Sequence, residues 1–229
     1  MTKIYFFFLC FITFANAQDY KKDTIELHET ILYDKSKFRL KRVGSDTKTK
    51  SILIGLTADI NFSKDSLPKF TKEFAIPINA PKKEFTFQRI NFNFSNSLKL
   101  DSILLKVDLT AMNNGKPAQS ILEKPFEVVV KKEYQQNDVF SMDLRDLNIK
   151  YQDDFFIKVE LLTEVEKPIY FSGALLAKCL YKTTDSDVWM KTPLGITPAI
   201  NADILIKNKK EATFNLRKIF LKNIQQRKS

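Results

Sequence analysis

Six apolar residues in step (Ile52, Ile54, Leu56, Ala58, Ile60 and Phe62) alternate with Gly55, Thr57, Asp59 and Asn61, and this period-two pattern returns along most of the chain. Alternation of this kind gives a strand one dry and one wet side. It recurs at Phe85 and Phe87, then at Ile90, Phe92 and Phe94, with a one-residue slip at Gln88-Arg89 of the sort a β-bulge requires. Further sets are Ile103 to Leu109; Phe126, Val128 and Val130; Phe140, Met142 and Leu144; and Phe155 to Leu161. Two more follow at Leu175, Ala177, Cys179 and Tyr181 and at Ala202, Ile204 and Ile206. The stretch from Lys22 to Arg42 reads as an opening strand or two. Strands in succession, with no long helical pattern between them, predict an antiparallel β-sandwich.

Turn chemistry divides the strands. Asn113-Asn114-Gly115-Lys116-Pro117 combines residues that tolerate positive φ with a proline that fixes the exit. Breaks are also expected at Lys64 to Pro68 and Asn79-Ala80-Pro81, and a long connection from Lys191 to Pro198. Beyond Ile206, Phe214, Leu216, Ile219, Phe220 and Ile224 fall loosely at helical spacing, which predicts a short amphipathic helix.

The start of the chain has the three parts of a secretory signal: Lys3, the apolar run Ile4 to Phe14, and Ala15-Asn16-Ala17 as the cleavage site. That run is too short for a bilayer anchor, which needs about 20 apolar residues. Residues 1–17 are therefore read as a signal peptide, and the mature protein is placed outside the cytoplasm, in the periplasm or outer cell envelope, with secretion as the further alternative. Residues 18–80 are read as strands of the same sandwich or a small lead-in, 81–207 as the sandwich, and 208–229 as a basic tail. With Cys10 removed, Cys179 stands alone in an apolar stretch and cannot form an intramolecular disulfide. It reads as a small buried hydrophobe.

The net charge of +10 is concentrated at one end. Between Lys207 and Ser229 eight basic residues face only Glu211, a balance of +7, and Lys3 leaves with the signal, so residues 18–206 carry just +2. Lys209, Lys210, Arg217, Lys218 and Lys222, interleaved with apolar side chains, are candidates for contact with an anionic membrane surface. A solvated tail is the competing reading. No recognition motif accompanies the charge, so nucleic acid is not an expected partner.

Catalytic constellations are hard to assemble. One histidine, His28, cannot build a zinc site or supply several triads, and the five glycines form no phosphate loop. No cofactor or metal is expected. Carboxylates that could work in pairs are Asp153-Asp154, Glu160, Glu164 with Glu166, and Asp185 with Asp187; the last pair could also contribute to a calcium site. Trp189 stands near Asp185, Asp187 and Tyr181, and these four are the candidate ligand site, because sandwich modules that bind sugars present aromatic faces to them. Asn61-Phe62-Ser63 and Asn93-Phe94-Ser95 match the glycosylation pattern but lie inside predicted strands.

Several landmarks between Phe85 and Lys207 carry a resemblance: the strand Ile103 to Leu109, Asn114-Gly115-Lys116-Pro117-Ala118, Phe140-Ser141-Met142-Asp143-Leu144, Leu147-Asn148-Ile149, and Asp154 to Glu160. This block resembles a domain of exported Bacteroidetes proteins that commonly follows a carboxypeptidase-like regulatory module. The resemblance covers about half the chain. It implies a jelly-roll-type sandwich and an envelope location, and it brings no catalytic residues. The expected role is a non-catalytic binding or structural module of the envelope acting on a protein partner. Glycan binding is the alternative, and a carboxylate-based glycosidase the third choice.

Overall fold

The computed structural model describes residues 33–57, 71–95, 100–165, 168–175, 177–183 and 186–208. The signal peptide, His28, Asp185, Glu166 and the basic tail, including Lys209, Lys210, Arg217, Lys218 and Lys222, lie outside the described residues. All elements below belong to the unit that begins at Asp34.

Fifteen strands are formed among the described residues: β1 (Phe38–Gly44), β2 (Leu53–Leu56), β3 (Thr71–Ile78), β4 (Phe85–Asn93), β5 (Ser102–Asn113), β6 (Lys116–Ser120), β7 (Phe126–Lys131) and β8 (Val139–Asp143) in the first part. The rest are β9 (Lys150–Tyr151), β10 (Phe155–Leu161), β11 (Ile169–Ala174), β12 (Leu180–Thr183), β13 (Ser186–Lys191), β14 (Thr197–Pro198) and β15 (Ile200–Lys207). A first sheet has the order β1-β15-β4-β8, with β9 also on β4. A second runs β13-β12-β3-β10-β5-β6, with β7 also on β5, and a third is β14-β11-β2. Every pairing among these strands is antiparallel. The chain crosses repeatedly from sheet to sheet, as at β3 to β4, β4 to β5, β7 to β8 and β9 to β10. The expected all-β antiparallel sandwich is the fold that forms.

The core lies where the dry faces of the first two sheets meet. Phe85 and Phe87 of β4 reach Phe155 of β10 with ring centroids 6.0 and 4.9 Å away, the closer pair edge to face. Such aromatic geometry adds roughly 0.5–1.5 kcal/mol per pair beyond area burial. Ile76, Ile78, Leu105, Val107, Ile157, Ile204 and Ile206 fill the layer around them. The slip at Gln88-Arg89 is present as a bulge: Asp203 pairs with Arg89 and the next residue, Ile204, with Phe87, which leaves Gln88 unmatched. At the β5–β6 hairpin, Asn113 pairs with Lys116 around Asn114 (φ 51°) and Gly115 (φ 72°), the two-residue turn with both central φ positive.

Two parts differ from the expectation. Alternation predicts a strand from Leu175 to Tyr181, but β11 ends at Ala174 and β12 begins at Leu180. Between them the Ala177 N–H donates to Gly195 O at 2.9 Å, so the segment forms an arm tied to the 193–195 turn and not a ladder. The second difference is on the wet face of the first sheet. Asn91, Asn93, Asn201 and Asp203 are buried there under residues 45–47. Asn93 Nδ2 donates to Thr47 O at 3.0 Å and Asn201 Nδ2 to Ser45 O at 3.0 Å. Asn91 Nδ2 bridges Asn201 Oδ1 (2.8 Å) and Asp203 Oδ2 (3.1 Å), while Ser141 Oγ donates to Asn91 Oδ1 at 2.7 Å.

The loop over this polar layer departs from β1 at Gly44. Its φ of +100° and a built Cβ 2.9 Å from Ile200 O leave no room for a side chain. Gly44→Ala is expected to cost about 1–2 kcal/mol, a fall of roughly 2–8 °C in melting temperature. An unchanged melt by circular dichroism would contradict this account of the turn.

Candidate functional site

A cleft bounded by described residues has a volume of about 840 Å³ and is assembled from six separate stretches. The end of β1 supplies Gly44 and Ser45; β3 and the residues after it supply Ile76, Pro77 and Asn79; the β5–β6 hairpin supplies Met112 and Gly115; and β10 supplies Phe156. The opposite wall is the arm (Ala174, Ala177, Lys178, Cys179, Leu180) and the connection after β13 (Lys191, Thr192, Gly195, Thr197). This size is ordinary for a ligand pocket, and the lining mixes apolar side chains with polar ones in comparable measure.

Next in the chain to two lining residues, Ala174 and Gly195, stands an exposed leucine. Leu175 is 52% exposed on the arm, and Leu194 is 83% exposed in the turn. Leu194 also holds φ 54°, a left-handed conformation uncommon for a non-glycine residue. The turn is pinned by Ile196 N–H to Pro193 O at 3.2 Å and by the Ala177 bond to Gly195. The fold thus keeps an exposed leucine on a strained backbone beside the cleft, a feature that clusters at functional sites.

Cys179 is part of this wall and is itself buried, its Sγ 3.6 Å from Ala75 O. Burial pushes its thiol up to about 12, against which contacts from Thr197 and Ala75 pull only partly. At neutral pH it is a thiol and a poor nucleophile. In a chain carrying Cys10→Ser, a disulfide reagent such as DTNB should label Cys179 at least about a hundredfold more slowly than after denaturation; fast labelling of the folded protein would show a reactive thiolate.

The predicted ligand site is only partly brought together. Tyr181 pairs with Met190 across β12 and β13 and packs on the core, so alternation turns it away from Trp189. Trp189 lies on the other face, with Lys182 Nζ 4.7 Å from its ring centroid. Asp187 is fully exposed and 4.0 Å from the same ammonium. One face of the ring is therefore occupied by a lysine. The lysine in turn belongs to a ladder across the sheet: Lys182 to Glu73 (3.5 Å), Glu73 to Lys158 (2.9 Å) and Lys158 to Asp108 (3.9 Å).

Three of the carboxylate candidates, Asp153, Asp154 and Glu160, are similarly engaged. Asp153 and Asp154 share Lys82 Nζ at 3.2 and 2.7 Å, and Asp154 accepts the Ala80 N–H at 2.9 Å. Burial raises the Asp154 carboxyl, but Lys82 and the Ala80 bond outweigh it and leave the group below its ordinary value. That is the wrong direction for a general acid. Glu160 sits between Lys72 and Lys106, 3.5 Å from each. With Tyr151, Asn113, Asn114 and Gln119, the two aspartates and Lys82 line a smaller hollow of about 430 Å³ that adjoins the cleft at Met112 and Gly115. Among the described residues no group of three or more His, Cys, Asp or Glu could hold a metal ion. No described helix is long and apolar enough to cross a membrane.

Comparison with protein-family models, curated proteins and solved structures finds no match to this chain. The resemblance noted over residues 85–207 therefore stands on those residues alone.

Proposed function

We propose that this protein is an exported, non-catalytic binding module of the cell envelope that docks a partner protein at the 840 Å³ cleft. The observation that carries the reading is a cleft that combines the apolar Ile76, Pro77, Met112 and Leu180 with polar groups and lies next in the chain to the exposed Leu175 and Leu194. The export signal supplies the compartment. The protonated, buried Cys179 and the lysine-paired carboxylates support a role without chemistry. In the test, envelope extract is passed over the immobilised protein and over Ala177→Trp, which fills the cleft from the arm. A specific protein retained by the first and lost by the second, at equal melting temperature, is the expected result. Equal retention by both would sink the proposal.

A glycan reading is favoured by one observation, the placement of Trp189 on the outermost strand of the second sheet. It predicts glycan binding that Trp189→Ala abolishes. For the basic tail, contact with an anionic membrane predicts co-sedimentation with phosphatidylserine vesicles that is lost on deleting residues 208–229; equal binding by both chains would remove that role.

A further inference from the structure

The charges of the cleft narrow the partner, given the docking reading above. Its walls hold two charged side chains among the described residues, Lys178 and Lys191, and no carboxylate. Both are exposed, and neither makes an ion pair with a described residue. Their neighbours are different: Lys72, Lys106, Lys158 and Lys182 on the same sheet each meet Glu73, Glu160 or Asp108 within 4 Å. Lys191 pairs across from Leu180, and the Thr192 N–H donates to Cys179 O at 3.0 Å, which ties the start of β12 to the connection after β13. Lys178, Leu180 and Lys191 all line the cleft, so two unneutralised ammonium groups stand beside its apolar side chains.

We infer that the cleft receives an acidic peptide segment of the partner, with apolar side chains on Pro77, Met112 and Leu180 and carboxylates against Lys178 and Lys191. A neutral apolar segment would leave both lysines without a counter-charge, and a basic one would be repelled. A sugar would waste the apolar floor. Because exposed ion pairs are individually weak, the discrimination between acid and amide should be modest, about 3- to 10-fold in affinity for the two together.

The test uses three N-acetylated, C-amidated peptides on one frame, Leu-Asp-Phe-Glu-Leu, Leu-Asn-Phe-Gln-Leu and Leu-Lys-Phe-Lys-Leu, each titrated into the isotopically labelled protein and followed by amide NMR. The acidic peptide should shift Ala177, Lys178 and Gly195; the amide peptide should bind about 3- to 10-fold more weakly, and the basic one more weakly still. Raising salt should narrow the gap. Lys178→Glu combined with Lys191→Glu should invert the order of preference. Equal affinity for acid and amide, shifts confined to other surfaces, or no shift with any peptide would overturn the inference. So would cleft shifts with decanoate alone, which would assign the site to a lipidic anion. If capture of the envelope protein is lost with Ala177→Trp but unaffected by the lysine reversals, docking stands and the acidic partner falls.

Discussion

Phe155→Ala should destabilise the protein by about 3–5 kcal/mol, the range for emptying an aromatic site in a packed core. Phe155 is fully buried and contacts three other rings, with centroids at 4.9 Å (Phe87), 6.0 Å (Phe85) and 6.5 Å (Tyr151). Those partners come from β4, β9 and, across the sandwich, the first sheet as a whole, so the ring joins two layers and no single element can collapse to fill its place. A domain of ordinary stability has about 5–15 kcal/mol in total, so the loss is a large share. Urea denaturation should show a lower midpoint with little change in slope. Phe155→Leu keeps most of the volume and should cost clearly less. If Phe155→Ala falls within about 1 kcal/mol of the unchanged protein, the ring is not the inter-sheet contact described here.

Much of that core is legible in the chain because it obeys one period. The phase slip at Gln88-Arg89 forecasts the bulge, and Asn114-Gly115 forecasts the hairpin, since each is a local property of a few residues. The central strand β3 is not forecast, although Phe74, Ile76 and Ile78 alternate, because Pro77 argues against an interior strand. Its neighbour β12 starts opposite Ala75, so Pro77 lies past the end of that pairing while β10 still matches it through Phe156. The arm before β12 is the reverse case: alternation is there without a partner to pair with. Asn91 and Asn93 look like wet-face residues and become buried only because a loop 46 residues earlier folds over them. The candidate site is less legible still. Trp189 and Tyr181 are near in sequence, yet the register that sets Tyr181 against Met190 separates them, and a single sequence does not show inter-strand register. The cleft draws on six segments whose meeting depends on the whole topology.

Asp203 should be the costliest polar side chain to remove from the layer under the 45–47 loop, with Asp203→Ala losing about 2–3 kcal/mol. The carboxylate is 4% exposed and accepts a two-pronged pair from Arg42, Nε at 2.7 Å and Nη2 at 3.0 Å, together with the Asn91 amide. Truncation leaves the guanidinium with Asp46 alone, at 2.9 Å, and removes one of the two acceptors of the buried Asn91 amide. Arg42 itself is 45% exposed, so water recovers part of its charge, and the expected loss stays below that of a fully buried pair. Asp46 adds a pH signature. Burial raises its carboxyl, but Arg42 and Asn93 outweigh burial and leave it below its ordinary value. A carboxyl more acidic in the folded state than in the unfolded chain binds fewer protons when folded, so stability rises with pH between the two values. The contribution is complete above the unfolded value of about 3.9 and is lost as pH falls through the folded one. Asp143, held low by Arg145, and Asp154 act in the same direction. Stability measured from pH 7 downward should therefore fall most steeply below about pH 4, and Asp46→Asn should flatten part of that fall. An acid limb unchanged by Asp46→Asn, or an Asp203→Ala protein as stable as the original, would mean that the Arg42 network is ornament on the sheet and that its loop is held down by other contacts.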